Sequence, residues 1–296
     1  MRLDKIAAHL FSDYSRSRLQ QWIKNGALTV DGRQKAPDYR VQGNEHLCLN
    51  AESVPKGYWQ AEKISFGLVF EDDHIIVLNK PSNLVVHPAV GNWQGTLLNG
   101  LLAHYPKLRH LPRGGIVHRL DKDTTGIMVV AKTPIAHKSL VSQLQARTVQ
   151  REYLALVRGF VECAGKIDQA IARHPRSRTK MAVVVGGKQA VTHFNILRRY
   201  NDCTLLHVRL QTGRTHQIRV HMAYIKHPIV GDPVYGANSP CVSDVAGAMA
   251  IFPRQALHAS SLTIEHPVSK QNRTWNIPLP EDIETLLCDL EYSRVT

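Results

Sequence analysis

Apolar positions fall into two regimes along the chain. Up to about residue 50 they recur at helical spacing. Leu3, Ile6, Ala7 and Leu10 define one amphipathic helix, and Leu19, Trp22 and Ile23 mark the inner face of a second. Asp13 or Ser15 can cap that second helix and Gly26 can end it. Leu28, Thr29 and Val30 then run into Asp31-Gly32, a pair suited to a tight hairpin turn. Residues 51–66 keep no steady period and read as a linker. From 67 onward strand-length apolar runs dominate, at 75–78, 127–131, 151–157, 190–197, 205–210 and 262–264. Helical spacing returns at Leu97, Leu98, Leu101 and Leu102, at Leu140, Val141 and Leu144, and at Ile283, Leu286, Leu287 and Leu290. Strands outnumber helices and do not alternate with them one for one. The expected fold class is therefore α+β, with a mainly antiparallel sheet in residues 67–296 and a small α/β module in residues 1–50.

Charge narrows the choice of partner. Lys and Arg number 37 against 24 acidic residues, a net charge of +13, which points to a polyanion. Without a basic amphipathic anchor or lipidation signal, nucleic acid is favoured over a membrane surface. No apolar run reaches membrane-spanning length, and the first residues lack a signal-peptide core. Cys48, Cys163, Cys203, Cys241 and Cys288 are scattered, with no Cys-x-x-Cys pair. Disulfides, metal and cofactor are not expected, and a cytoplasmic monomer is.

The chemistry concentrates in residues 115–133, GIVHRLDKDTTGIMVVAKT. A short apolar approach at Ile116-Val117 opens onto a polar loop, and the chain leaves it as a buried strand. Asp121 lies between Arg119 and Lys122, where a carboxylate can stay ionised as a nucleophile or base. Residues 211–221 add Arg214 and Arg219; a helix starting near Thr215 would offer backbone N–H groups to a phosphate, with Arg219 one turn in and able to pair with a carboxylate. Tyr153, on a strand, presents a flat face for a base. Arg16, Arg18 and Lys24 on the second helix, Arg33 after the turn, and Arg176, Arg178 and Lys180 in the loop HPRSRTK are candidate RNA contacts. His216 and His221, five apart, point in different directions on one helix and read as structural or RNA-facing. Metalloprotease, serine-hydrolase and P-loop signatures are missing from the sequence. Asp121 and Asp123, two apart in one loop, are poorly placed to flank a sugar as glycosidase carboxylates do.

Two resemblances follow. Arg2-Leu3-Asp4, residues 15–18, Ile23, Gly26 and Val30-Asp31-Gly32 resemble the S4 RNA-binding domain, with Asp31 where Asn is usual. Residues 118–126 (HRLDKDTTG), Asn79-Lys80-Pro81 with 85–88, Arg151-Glu152-Tyr153, 212–221 and 227–236 (HPIVGDPVYG) resemble the RluA family of pseudouridine synthases. Residues 13–18, 187–193 and 254–259 extend the likeness to its RluD-like branch. Thr125 replaces a frequent Ser and Asn83 a frequent Gly, and Asn83 is expected to keep a left-handed turn. The resemblance implies an isomerase that needs no cofactor. Asp121 would attack the uridine, at ribose C1′ or uracil C6. Arg119 would enter the stem vacated by the flipped base, Tyr153 would stack on the uracil and serve its C5 proton, Arg219 would pair with Asp121, and Ile218 would pack on the base. Lys80 would be a further substrate contact through phosphate. The implied substrate is 23S rRNA, free or in the assembling large subunit, in the hairpin facing the decoding centre. Other rRNA or tRNA uridines are the alternative within the class, and a non-catalytic ribosome-assembly factor is the alternative outside it.

Overall fold

The computed structural model describes residues 1–11, 16–50, 59–88, 92–177, 179–236 and 252–292, with only the backbone of Ser17 and Arg18. Two compact units divide the chain, Met1–Tyr58 and Trp59–Thr296. In the smaller unit α1 (Leu3–Leu10) and α2 (Arg16–Lys24) precede the antiparallel pair β1 (Leu28–Val30) and β2 (Leu47–Leu49). Leu3, Ala7, Leu19, Trp22, Ile23, Leu28 and Val30 form its core.

Two positions depart from the helical pattern. Leu10 is exposed, and Asp4 is fully buried beside Leu3. Its carboxylate accepts hydrogen bonds from Arg16 Nη2 at 2.5 Å, Gln20 Nε2 at 2.7 Å and Arg2 Nε at 3.1 Å. Burial works against the charge, yet these donors outweigh it and hold Asp4 at about 2. The network ties α1 to α2 through a buried charge that the apolar spacing did not include. Asp31 and Gly32 both take positive φ, and Val30 and Arg33 exchange backbone hydrogen bonds around them at 2.9 Å, the expected two-residue turn. The capping candidates Asp13 and Ser15 lie outside the described residues.

The larger unit is built on β3 (Gly67–Glu71), β4 (Ile75–Lys80), β5 (Thr125–Ala131), β6 (Gln150–Arg158), β7 (Gly165–Asp168), the hairpin β8 (Ile171–Arg173) and β9 (Met181–Val183), then β10 (Val191–Arg199), β11 (Cys203–Leu210), β12 (Leu257–Glu265) and β13 (Asn272–Asn276). Its main sheet runs β3-β4-β5-β12-β6-β11-β10-β7, with β13 also paired to β12. Every pairing is antiparallel except β5 with β12. The sheet is thus mainly antiparallel, as the strand count implied. β5 is buried along its whole length, which explains its unbroken apolar run. Thr96 caps α3 (Leu97–His104) in a reciprocal box with Asn99, and Thr133 with Pro134 starts α4 (Pro134–Ala146). α5 (Gln217–Tyr224) and α6 (Glu281–Tyr292) are the other α-helices among the described residues of this unit.

Two expected boundaries move. Residues 59–66, read as linker, belong to the larger unit: Asn99 Nδ2 donates to Gln60 O at 2.7 Å, Glu62 N donates to Asn99 O at 3.0 Å, and Trp59, Ile64 and Phe66 pack on the main core. An extended strap held by such bonds has no helical or strand period to read. α5 starts at Gln217 rather than near Thr215, because His216 is left-handed, with φ +55°. The Arg214 N–H that would face a phosphate is taken by Gln217 Oε1 at 3.0 Å.

Gly126 sets the distance between β5 and β12. Its φ is +125°, and a Cβ there would lie 2.3 Å from Ala259 O. Gly126→Ala is therefore expected to cost at least about 2 kcal/mol of stability, from a forbidden backbone region and a backbone clash together. Urea unfolding of both proteins checks it; an unchanged midpoint would mean that the two strands can part without penalty.

Candidate active site

The polar loop entering β5 is held from beneath, residue by residue. Lys80 at the end of β4 is completely buried and donates to Lys122 O at 2.8 Å, Pro81 O at 2.7 Å and Leu84 O at 3.0 Å. Arg254 donates to Asp123 O at 3.1 Å and is itself gripped by both carboxylate oxygens of Asp282 in α6, at 2.7 and 2.8 Å. Gln255 Nε2 reaches Thr124 Oγ1 at 3.2 Å, and His258 Nδ1 meets Thr125 Oγ1 at 2.8 Å. Thr124 N closes a turn onto Asp121 O at 3.1 Å. Asn83 is left-handed as expected, with φ +59°, and the adjacent Leu84 N donates to Lys122 O at 3.1 Å.

Above this support opens a cleft of about 500 Å³. Asp121, Tyr153, Arg219, Arg119, Ile218 and Arg214 all line it, although they come from three separate stretches of sequence. Arg219 is the link between them. Its Nη1 donates to Asp121 Oδ2 at 3.0 Å, while Nε and Nη2 donate to Asp232 Oδ2 and Oδ1 at 2.7 and 2.9 Å. Asp232 is buried, which alone would disfavour its charge. The Arg219 guanidinium, with the N–H groups of Tyr235 and Val234, outweighs that and holds its carboxyl below the usual range. The same two carboxylates push the Arg219 pKa upward against its own burial. Burial raises the Tyr153 hydroxyl, so the ring enters the cleft as a neutral phenol.

His216 adds a contact that sequence reasoning left undecided. Its left-handed backbone turns the ring into the cleft, with Nε2 3.8 Å from Asp121 Oδ1 and Nδ1 2.8 Å from Tyr235 Oη. Tyr235 Oη also accepts from Met181 N at 2.9 Å, which joins β9 to the site. Burial lowers the His216 pKa, against the pull of Asp121. His221 is instead buried away, its ring nitrogens meeting Thr192 Oγ1 and Gln169 O at 2.8 and 3.0 Å.

Other expected contacts separate from the cleft. Lys80 is a correction: with three carbonyls around its ammonium and no exposure, it supports the loop and does not face a substrate. Burial pushes it down to about 7, against the attraction of Asp123 and Asp121. On the smaller unit Lys24 and Arg33 are exposed, whereas Arg16 is tied to Asp4. The Arg18 side chain and Arg178 lie outside the described residues. Arg176 is exposed and Lys180 half-buried in the loop joining β8 to β9, where His174 Nδ1 accepts from the N–H groups of Arg176 and Ser177 at 3.1 Å. Asp232, Arg254, Arg113, Arg147 and Arg151 received no role from the sequence, though Asp232, Arg254 and Arg151 stand in motifs that were recognised. Arg113, Arg147 and Arg151 also line the cleft, and for Arg113 and Arg147 the excess of positive charge was the one trace in the sequence.

A family model described as RNA pseudouridylate synthase matches residues 74–224, and an S4 domain model matches residues 1–47. The chain belongs to the RNA pseudouridylate synthase family, enzymes that isomerise uridine within RNA. It is 52% identical to a protein of Pseudomonas aeruginosa named ribosomal large subunit pseudouridine synthase D, over 99% of this chain and 93% of that one. A protein of the same name from Escherichia coli K12 is 47% identical, with the same two coverages. Among solved structures, human RNA Pseudouridylate Synthase Domain Containing 4 gives a TM-score of 0.59 at 25% identity, covering 76% of this chain and 93% of that one. Human RNA Pseudouridylate Synthase Domain Containing 1 shares the fold with a TM-score of 0.57 at 24% identity, over 78% and 96%.

Two outcomes test the support of the loop. Lys80→Met would leave three carbonyls without their donor and is expected to cost roughly 2–4 kcal/mol, read by urea unfolding. Retained stability would show that water or a side-chain shift replaces the ammonium. The second concerns acid. Burial depresses His118 to about 3 and His258 to about 4. Unfolded histidines take up protons near pH 6.5 and these folded ones do not, so stability must fall as pH drops from about 6.5 towards 4. Each contributes roughly 1 kcal/mol per pH unit at most. His118→Gln should flatten the dependence of Tm on pH in that window. An equal slope in the variant would remove His118 from this role.

Proposed function

We propose that this chain isomerises uridines of large-subunit 23S rRNA to pseudouridine, with Asp121 as the reacting carboxylate. The observation that carries it is the make-up of the cleft. Among the described residues lining it, Asp121 is the single acid, and six arginines stand around it. A cleft of that charge suits a phosphate backbone, and a lone carboxylate oriented by Arg219 suits attack on an electrophilic carbon. Likeness to the large-subunit synthases of Pseudomonas and Escherichia supports the choice of RNA. The hairpin facing the decoding centre is the proposed target within it.

In this reading Arg119 fills the stem as the uridine flips out, and Tyr153 and Ile218 enclose the uracil between an aromatic face and an aliphatic one. Asp121 then adds at ribose C1′ or uracil C6. The C1′–N1 bond breaks, the base turns, C5 bonds to C1′, the bond to Asp121 breaks to free its carboxylate, and C5 loses a proton while N1 gains one. Atoms balance without a co-reactant. Tyr153 stacks on the uracil and is the residue placed to take the C5 proton. Arg219, locked by Asp232, keeps the Asp121 carboxylate aimed while the base rotates. Lys24, Arg33 and Arg176 give the RNA further phosphate contacts. The protein acts as a cytoplasmic monomer; among the described residues no helix is long and apolar enough to cross a membrane.

Tritium release from large-subunit rRNA labelled at uracil C5 tests this, with wild type and Asp121→Asn in parallel and the modified positions mapped. Wild type is expected to release tritium, and Asp121→Asn to be slower by at least about a thousandfold with RNA affinity kept. Activity of Asp121→Asn near that of wild type would remove Asp121 from the chemistry. Wild-type binding without release would turn attention to tRNA uridines, and then to a non-catalytic role in subunit assembly.

A further inference from the structure

The buried arginines of this unit are balanced in different ways. Arg219 has two carboxylates and Arg254 has one. Arg151, on β6, has neither. It is only 9% exposed, its Nε is buried with no partner, and its guanidinium has no hydrogen bond or ion pair among the described residues. Asp121, the one acid of the cleft lining, is taken by Arg219.

A permanently charged guanidinium left this way is costly unless something arrives to accept from it. Its surroundings indicate where that acceptor enters. Arg151 lines the cleft, and so does Gly213 on the opposite turn. A Cβ at Gly213 would fall 2.4 Å from Arg151 Nη1, so the absence of a side chain there lets the fork lie across the rim. Along β6, Arg151 is two residues from Tyr153, and both are buried while Glu152 between them is not. Alternation puts the two on one face of the strand, about 7 Å apart. A base against Tyr153 would have its own backbone within reach of that fork.

We propose that Arg151 is a substrate-binding residue that grips a phosphodiester flanking the flipped uridine. This rests on the reading of the cleft as a uridine site. A phosphate fits better than a uracil carbonyl, because it supplies a full negative charge to a buried cation and two oxygens to its fork. The bond also gives extrusion a direction, since the backbone is held on one side of the base while Tyr153 holds its face.

A charge-deletion cycle tests it. RNA fragments carrying the mapped target uridine are made with a neutral methylphosphonate at the 5′ or the 3′ linkage of that nucleotide. Single-turnover kcat/KM is measured for wild type, Arg151→Gln and Arg151→Lys. For wild type, one of the two neutral linkages should cost on the order of tenfold to a hundredfold, the range for a charge-assisted pair. Arg151→Gln should lose a similar factor on unmodified RNA and little more on that neutral RNA. Arg151→Lys, charged but without the fork, should fall between. The ratio of neutral to unmodified RNA is taken within one protein, so a partly unfolded variant does not distort that comparison, and it decides the outcome. Equal penalties from both neutral linkages in wild type and Arg151→Gln would overturn the assignment of Arg151 alone. No isomerisation of unmodified RNA by wild type would overturn the underlying reading, and this proposal with it.

Discussion

Arg219 is only 4% exposed, and a guanidinium at that depth requires carboxylates. Asp232 meets two of its N–H groups from below and leaves a third free to point upward. The position of Asp121 follows from that division, because the remaining N–H is where its carboxylate rests. The packing of α5, the turn at Asp232 and the loop before β5 all have to agree for the three charges to meet. A shift in any of them would leave a buried charge unpaired, which costs more than the loss of an ordinary contact. The site is thus as rigid as the ion triad beneath it.

The loop that carries Asp121 is irregular, yet the carbonyls of Asp121, Lys122 and Asp123 each accept a hydrogen bond. Lys80 and Arg254 approach it from opposite ends of the chain and satisfy successive carbonyls. Cations are well suited to this, since one ammonium or guanidinium serves several carbonyls at once. Positive charge in this protein therefore does two jobs. Some of it is buried and holds the loop, and some faces the cleft. Overall composition counts both together, which is why Lys80 was expected in the second group and belongs to the first.

The strands, most helix faces and the tight turn at Asp31-Gly32 were legible because they obey local rules. A period of two or of 3.6 and a pair of turn residues leave their mark within a few positions. Leu10 and Asp4 show the limit. The spacing of α1 marks an inward face, but it cannot reveal that Arg16 and Gln20 would come to satisfy a buried carboxylate there. Residues 59–66 show another, since their partner Asn99 lies more than thirty residues away.

For the site, sequence by itself determined the class of chemistry. Asp121, Tyr153 and Arg219 stand in motifs whose order along the chain resembles one family, and the matching family model places the chain there. Tertiary structure alone decided how those residues share the work. It set Asp232 under Arg219, turned His216 towards Asp121, buried Lys80 and left Arg151 without a partner among the described residues. The physical reason is that a side chain's chemical type is a property of one residue. Its burial and its partner are properties of groups brought together from distant parts of the chain, and only the packed fold brings them together.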